Sequence, residues 1–248
     1  MYLLQLGIES KTNTIIRWVL SQNRLQQGEL KLLANRLVFI KKNRQGFLPV
    51  FDRDTQRTVE MLSKMTEKYI QQELKSFSQK TIVDPNRPVE IKYSTPTAAE
   101  IVQVYSEHRK FLRSIIGKPY REAFEEIQRF KDDFMLQNTQ ADTENAKLIM
   151  DGAEILSSYN HVGFFKAFNI DVTNSAAFNA NEAAIAILLE KQRTGQLPDE
   201  LPKGLPPDPF SGKDFEYKKT ESGFVLRCRQ EDLESHKTHE FEFNKPNL

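Results

Sequence analysis

The sequence predicts a mainly helical α+β protein: a multi-helix bundle that ends in a small three-stranded antiparallel β-meander. Three observations carry this reading. Apolar residues recur at three- and four-residue intervals over most of the first 160 positions. The run Ala183-Ala184-Ile185-Ala186-Ile187-Leu188-Leu189 has no polar face in its middle, so it must be covered on several sides. From Phe215 onward the pattern switches to strict alternation around a turn at Glu221-Ser222-Gly223.

In chain order, Ile15, Ile16, Val19 and Leu20, then Leu30, Leu33, Leu37 and Ile40, predict two helices between Thr12 and Asn43, broken near Gln27-Gly28. Gln45-Gly46-Phe47-Leu48-Pro49 reads as a loop, after which Asp52 or Asp54 caps a long helix bearing Val59, Leu62, Tyr69, Ile70 and Phe77. Asp84-Pro85, Arg87-Pro88 and Thr95-Pro96 interrupt the periodicity, and Val89 to Tyr93 alternates as a short strand would. This Pro-rich linker separates two helical blocks, about 1–80 and 95–178.

The second block opens on Thr97-Ala98-Ala99-Glu100, the spacing at which a hydroxyl and a carboxylate satisfy free amides at a helix start. Its buried face is expected to be Ile101, Tyr105, His108, Leu112 and Ile115. Gly117 and Pro119 separate it from a helix carrying Tyr120, Phe124, Ile127, Phe130 or Lys131, and Phe134. Ala146, Ile149, Met150, Ala153 and Leu156 predict a further helix over Thr143 to Tyr159, followed by a connection whose Phe164, Phe165 and Phe168 face the core. At about 25 cal/mol per Å² of apolar surface, burial of those rings contributes several kcal/mol.

Residues 1–178 are thus expected to form a helical domain and 179–248 a helix-plus-meander module. In the meander Phe224, Leu226 and Cys228 share one side, and Phe241 and Phe243 point inward while Glu240 and Glu242 point outward. It is expected to be the only sheet, and no repeat at a fixed period is evident.

The formal net charge is +1, but residues 1–80 hold 14 Lys and Arg against 7 Asp and Glu, so a basic first third faces an acidic remainder. Arg36, Lys41, Lys42, Arg44, Arg53 and Arg57 gather around the 43–52 loop without interleaved aromatics, and the overall balance lacks the basic excess of nucleic-acid-binding modules. Nucleic acid is therefore not favoured as a partner. The same edge suits anionic lipid, a reading strengthened if a membrane anchor stands upstream. No run of about 18 apolar residues exists to span a membrane, and Met1 to Ile8 lacks the basic start of a signal peptide, so a soluble chain is expected.

The single cysteine excludes an intramolecular disulfide and a cysteine-rich metal site, and Cys228 alternates inward as an inert thiol. There is no Gly-x-Ser-x-Gly elbow and no His-Glu-x-x-His helix. Gly212-Lys213 does not complete a phosphate loop, because Pro207 stands where the first glycine belongs and Asp214 where the hydroxyl belongs. His236 and His239 lack a convincing third ligand. No catalytic residue, metal or cofactor is assigned. The binding candidates are Tyr105, His108, Tyr120 and Tyr159, placed as the lining of a pocket between the helical blocks, with His108 as a base near Glu100 or Glu107.

Between helix and meander, Thr194-Gly195-Gln196-Leu197-Pro198 leads into Leu205-Pro206-Pro207-Asp208-Pro209-Phe210-Ser211-Gly212-Lys213 and then Phe215 and Tyr217. Pro206 and Pro209 rigidify the crossing, Asp208 accepts amide hydrogen bonds, and Gly212 takes a positive φ where the chain reverses. Ala186 to Tyr217 resembles the region of bacterial type II secretion pseudopilins where the helix enters the small sheet. The resemblance as a whole covers about 45 residues around this stretch and extends to the tails of uncharacterised, planctomycete-type bacterial envelope proteins carrying the same Asp-Pro-Phe-Ser-Gly-Lys turn.

The chain departs from pseudopilins in having no long apolar first helix. Some pseudopilins hold calcium in a loop of the terminal sheet, but here Gln230 to Thr238 offers only Glu231, Asp232 and Glu234, so calcium is not expected. The resemblance implies a non-enzymatic structural or protein-interaction component of a bacterial cell envelope or periplasm, with a protein partner; a cytoplasmic location is the alternative. The alternative is an enzyme or small-ligand binder with its pocket near His108.

Overall fold

This computed structural model describes residues 2–43, 46–80, 90–137, 140–142, 147–150, 152–153, 156 and 162–244. The elements are α1 (Tyr2–Ser21), α2 (Gln27–Asn43), α3 (Phe47–Leu62), α4 (Glu67–Lys80), β1 (Glu90–Tyr93), α5 (Ala98–Ile115) and α6 (Tyr120–Gln137). They continue with β2 (Gln140–Asp142), β3 (Lys147–Met150), α7 (Val162–Thr194), β4 (Glu216–Lys219), β5 (Phe224–Arg227) and β6 (Glu240–Glu242). The protein is mostly helical, with a three-stranded antiparallel sheet at the C-terminal end.

Packing divides the chain into two compact units that interleave in sequence. One comprises Met1–Gly46, Pro119–Glu122 and Ala167–Leu248; the other comprises Phe47–Lys118 and Ala123–Lys166. The expected boundary at 178 therefore falls inside α7, and the helix-plus-meander module shares its unit with α1 and α2. The expected block 1–80 is itself divided after Gly46.

In the first unit, α7 runs unbroken for 33 residues, absorbing both the expected aromatic connection and the separate helix at 181–194. Phe164 and Phe168 are buried, while Phe165 is only half-buried. Ala183, Ala184, Ile185, Ile187 and Leu188 are buried, as a run with no polar face requires. Three buried asparagines join α7 to α1: Asn174 Nδ2 donates to the Leu6 carbonyl (2.9 Å), Asn13 Nδ2 to the Asn174 carbonyl (3.3 Å), and Asn181 Nδ2 to both oxygens of Asn13 (3.2 Å each). Such polar pairs inside an apolar interface set the register of one helix against the other. Gly195 (φ +85) closes α7, its amide donating to the Lys191 carbonyl at 2.8 Å.

The meander forms in the order β4-β5-β6 with the expected faces: Phe224, Leu226, Cys228, Phe241 and Phe243 are buried, and Glu240 and Glu242 are exposed. Arg17 of α1 lies over the Phe241 ring. At the β4–β5 turn a side chain on Gly223 would stand 2.1 Å from the Phe243 carbonyl oxygen, so only glycine admits the neighbouring strand.

The second unit corrects several expectations. The long helix after Asp52 is two helices, α3 and α4, broken at 63–66, and α3 begins at Phe47. Phe47, Leu48 and Pro49 are therefore helical rather than loop, with Pro49 in the first turn, where its missing amide costs no helical bond. A second sheet is present: β1 pairs parallel to β3, and β2 antiparallel to it. Lys147–Met150 is a strand and not part of a helix over Thr143 to Tyr159; the rest of that segment lies mostly outside the described residues, as does the linker at 81–89. The predicted capping box is present, with the Glu100 amide donating to Thr97 Oγ1 and the Thr97 amide to Glu100 Oε2. Leu62, Ile70, Leu74, Ile101, Tyr105, Ala153 and Leu156 form this unit's core.

Candidate functional site

The structure separates the candidate residues. Tyr105 is fully buried in the second unit's core, where burial pushes its phenol pKa upward. His108, expected on the same buried face, is half-buried and meets the Phe130 ring edge-on at 5.1 Å. Its place inside is taken by Arg109, because a helix that buries 101 and 105 turns 109 and 112 inward at the next steps.

Arg109 is 3% exposed. Its Nε donates to Thr55 Oγ1 (2.7 Å), its Nη2 to the Phe51 carbonyl (2.9 Å) and to Asp54 Oδ2 (3.3 Å), and the guanidinium stacks 3.6 Å above the Phe51 ring. One turn on, Arg113 holds Asp52 through two hydrogen bonds. Asp52 and Asp54, read as caps, are mid-helix ion-pair partners that fasten α3 to α5. The long stem and planar head of arginine let it lie in an apolar seam while Nε and Nη2 find oxygens and the plane covers a ring.

Tyr120 belongs to the first unit and reaches a buried polar cluster. Its hydroxyl lies 2.8 Å from Asn169 Oδ1 and 3.2 Å from Asp232 Oδ1, and it accepts the Leu233 amide. Burial, then the Asp232 charge, pushes its pKa far up, so the phenol stays neutral. Asp232 also accepts Asn169 Nδ2, the amides of Glu234 and Ser235, and the Ser235 hydroxyl, with His239 Nε2 3.5 Å away. Burial alone would raise its pKa, but the amide, hydroxyl and Asn169 hydrogen bonds outweigh it and hold the carboxylate below its usual range. A carboxylate so fully engaged holds a loop together. Tyr159 lies outside the described residues.

The turn residues behave as the sequence implies. Asp208 is fully buried; its carboxylate accepts the Phe210 amide (2.9 Å), the Arg229 amide (2.9 Å) and the Ser211 hydroxyl (2.6 Å), and Gly212 has φ +69. Pro206 and Pro209 flank it. Burial, then the Asp208 carboxylate, drives the Cys228 thiol pKa far up, which keeps the sulfur protonated and inert.

The sequence reading missed a twin of this turn. Asp208-x-x-Ser211-Gly212-Lys213 recurs 24 positions on as Asp232-x-x-Ser235-His236-Lys237. In both, the aspartate amide donates to the lysine carbonyl (2.8 Å each). The fifth residue donates back to the aspartate carbonyl (2.8 and 2.7 Å), and the third residue's amide and the serine hydroxyl bind the carboxylate. His236 has φ +55 where the first copy has glycine.

The largest unexplained feature is on the outside. Ile8, Ile15 and Trp18 of α1 and Leu32, Val38 and Phe39 of α2 are all more than half exposed. On α2, Leu32 and Phe39 stand seven apart on one face with Asn35 and Arg36 between them, bordered by Lys31 and Lys42. An apolar centre with a charged rim is the anatomy of a protein-binding surface. The alternative of pairing through a sheet edge is countered at β4, whose Glu216, Lys218 and Lys219 are exposed charges of the kind that discourage strand addition.

No protein family, curated protein or solved structure matches the chain. Among the described residues no group of three or more His, Cys, Asp and Glu is placed to hold a metal ion, and no helix is long and apolar enough to cross a membrane.

Proposed function

We propose that this protein is a non-enzymatic structural or protein-interaction component of a bacterial cell envelope, holding a protein partner on the exposed face of α2. The observation that carries the binding surface is the Leu32–Phe39 stripe, with Arg36 within it and Lys31 and Lys42 along its rim. Charge complementarity calls for a partner with an apolar ridge bordered by Asp and Glu. The envelope rests on the likeness of Ala186 to Tyr217 to pseudopilin tails.

A photo-crosslinking amino acid at Phe39, introduced in the native host, tests both parts. A discrete adduct recovered in the envelope fraction, and lost with Leu32→Asp, is expected. No adduct, or one indifferent to Leu32→Asp, refutes the surface; an adduct found in the cytosol refutes the location.

A further inference from the structure

The exposed face of α1 carries a lysine where that of α2 carries Arg36, and arginine is enriched in protein interfaces while lysine is depleted. Its inward residues are Leu6, Glu9, Asn13, Ile16 and Leu20; its outward residues include Ile8, Lys11, Ile15 and Trp18. Lys11 lies three residues after Ile8, four before Ile15 and seven before Trp18, so the cation sits in the middle of the apolar group. At the centre of a protein interface a lysine is disfavoured, since burying an ammonium costs more than its packing returns. At a bilayer surface the same arrangement is favourable: the isoleucines and the indole enter the headgroup boundary while the lysine stem extends back to the phosphates.

The surroundings agree in sign. Within residues 2–43, Lys11, Arg17, Arg24, Lys31, Arg36, Lys41 and Lys42 stand against Glu9 and Glu29, with Lys41 paired to Glu182 and Arg17 lying over the Phe241 ring. Glu9 is buried and accepts from Gln5 Nε2, and Glu29 accepts the Gln26 amide at 2.7 Å. Both carboxylates thus have hydrogen-bond donors of their own.

We infer that the α1 face formed by Ile8, Lys11, Ile15 and Trp18 docks on an anionic lipid surface. This goes beyond the protein-partner reading and stands without it, because it uses another helix and another residue pattern. Each basic residue near such a surface strengthens binding, and the attraction weakens within a Debye length.

Trp18 is the only tryptophan, so its emission reports this face alone. The intact chain is titrated with vesicles of phosphatidylcholine, and of phosphatidylcholine with phosphatidylglycerol. A blue shift with the anionic vesicles only, reversed by salt, is expected. Lys11→Glu should weaken it roughly tenfold or more, and Lys218→Glu on β4 should change it far less. Both lysines are exposed, and circular dichroism confirms the fold of each variant. An equal shift with neutral vesicles, no shift with either, or equal losses from both variants overturns the proposal. So does a shift produced by an acidic amphipathic peptide and not by vesicles.

Discussion

The twin turns offer one structural position in which the same backbone is occupied by different residues. Gly212 (φ +69) and His236 (φ +55) both lie in the left-handed region. There an L side chain costs about 1–2 kcal/mol, while removing a glycine from the unfolded chain returns about 0.4–1 kcal/mol. No atom lies within 4 Å of where a Cβ on Gly212 would stand, so steric clash adds nothing and Gly212→Ala should destabilise by about 1 kcal/mol. His236 is exposed. His236→Gly should therefore act in the opposite sense, from neutral to about 1 kcal/mol stabilising.

Urea unfolding at neutral pH, compared through midpoints at constant slope, measures both variants against the parent within one packing unit. The reasoning fails if Gly212→Ala stabilises, or if His236→Gly destabilises by more than about 0.5 kcal/mol, since the backbone strain assigned to the shared position would then be absent.

Three further outcomes follow from the buried polar groups. Asp208→Ala strands the Phe210 and Arg229 amides and the Ser211 hydroxyl, and should cost about 2–4 kcal/mol in urea midpoint, with Asp208→Asn costing less. Because the folded-state pKa of Asp232 is depressed, its contribution to stability is complete above the ordinary carboxylate value of about 4 and is lost as pH falls below it. Asp232→Asn should flatten that acid limb of a melting-temperature profile while leaving the slope above pH 5 or so unchanged. Asn181→Leu leaves two Asn13 oxygens without their donor and should cost about 1–3 kcal/mol; combining it with Asn13→Leu should recover part of that loss in a double-mutant cycle.

Much of the local chemistry was readable in advance. The Thr97–Glu100 capping box, the Asp208 turn with its positive-φ glycine, the inward alternation of the meander and the burial of 183–189 all depend on residues close together in the chain. The twin turn was also legible: the spacing of aspartate, serine and lysine repeats, but a histidine at the glycine position conceals it from a search for identical turn residues.

Other features depended on distant partners. Ile149 and Met150 belong to a set with Ala146, Ala153 and Leu156 that is spaced as in a helix, yet Lys147–Met150 is a strand because Glu90–Tyr93 and Gln140–Asp142 supply its hydrogen bonds. The segment before 181 is rich in Asn, Ser and Thr, weak helix formers, yet is helical where Asn174 and Asn181 find α1. Arg109 is not among the residues that the apolar spacing of α5 marks as buried, and it lies inside because Thr55 and the Phe51 carbonyl place oxygens around it.

From the chain alone came the helical class, the terminal sheet and the turn chemistry, because periodicity, capping and Asx geometry act within a few residues. Packing alone decided that the units interleave, that a second sheet exists and that α1 and α2 leave their apolar outer faces uncovered. Those outcomes depend on which distant surfaces meet, and a burial free energy proportional to area does not encode its partner in local spacing.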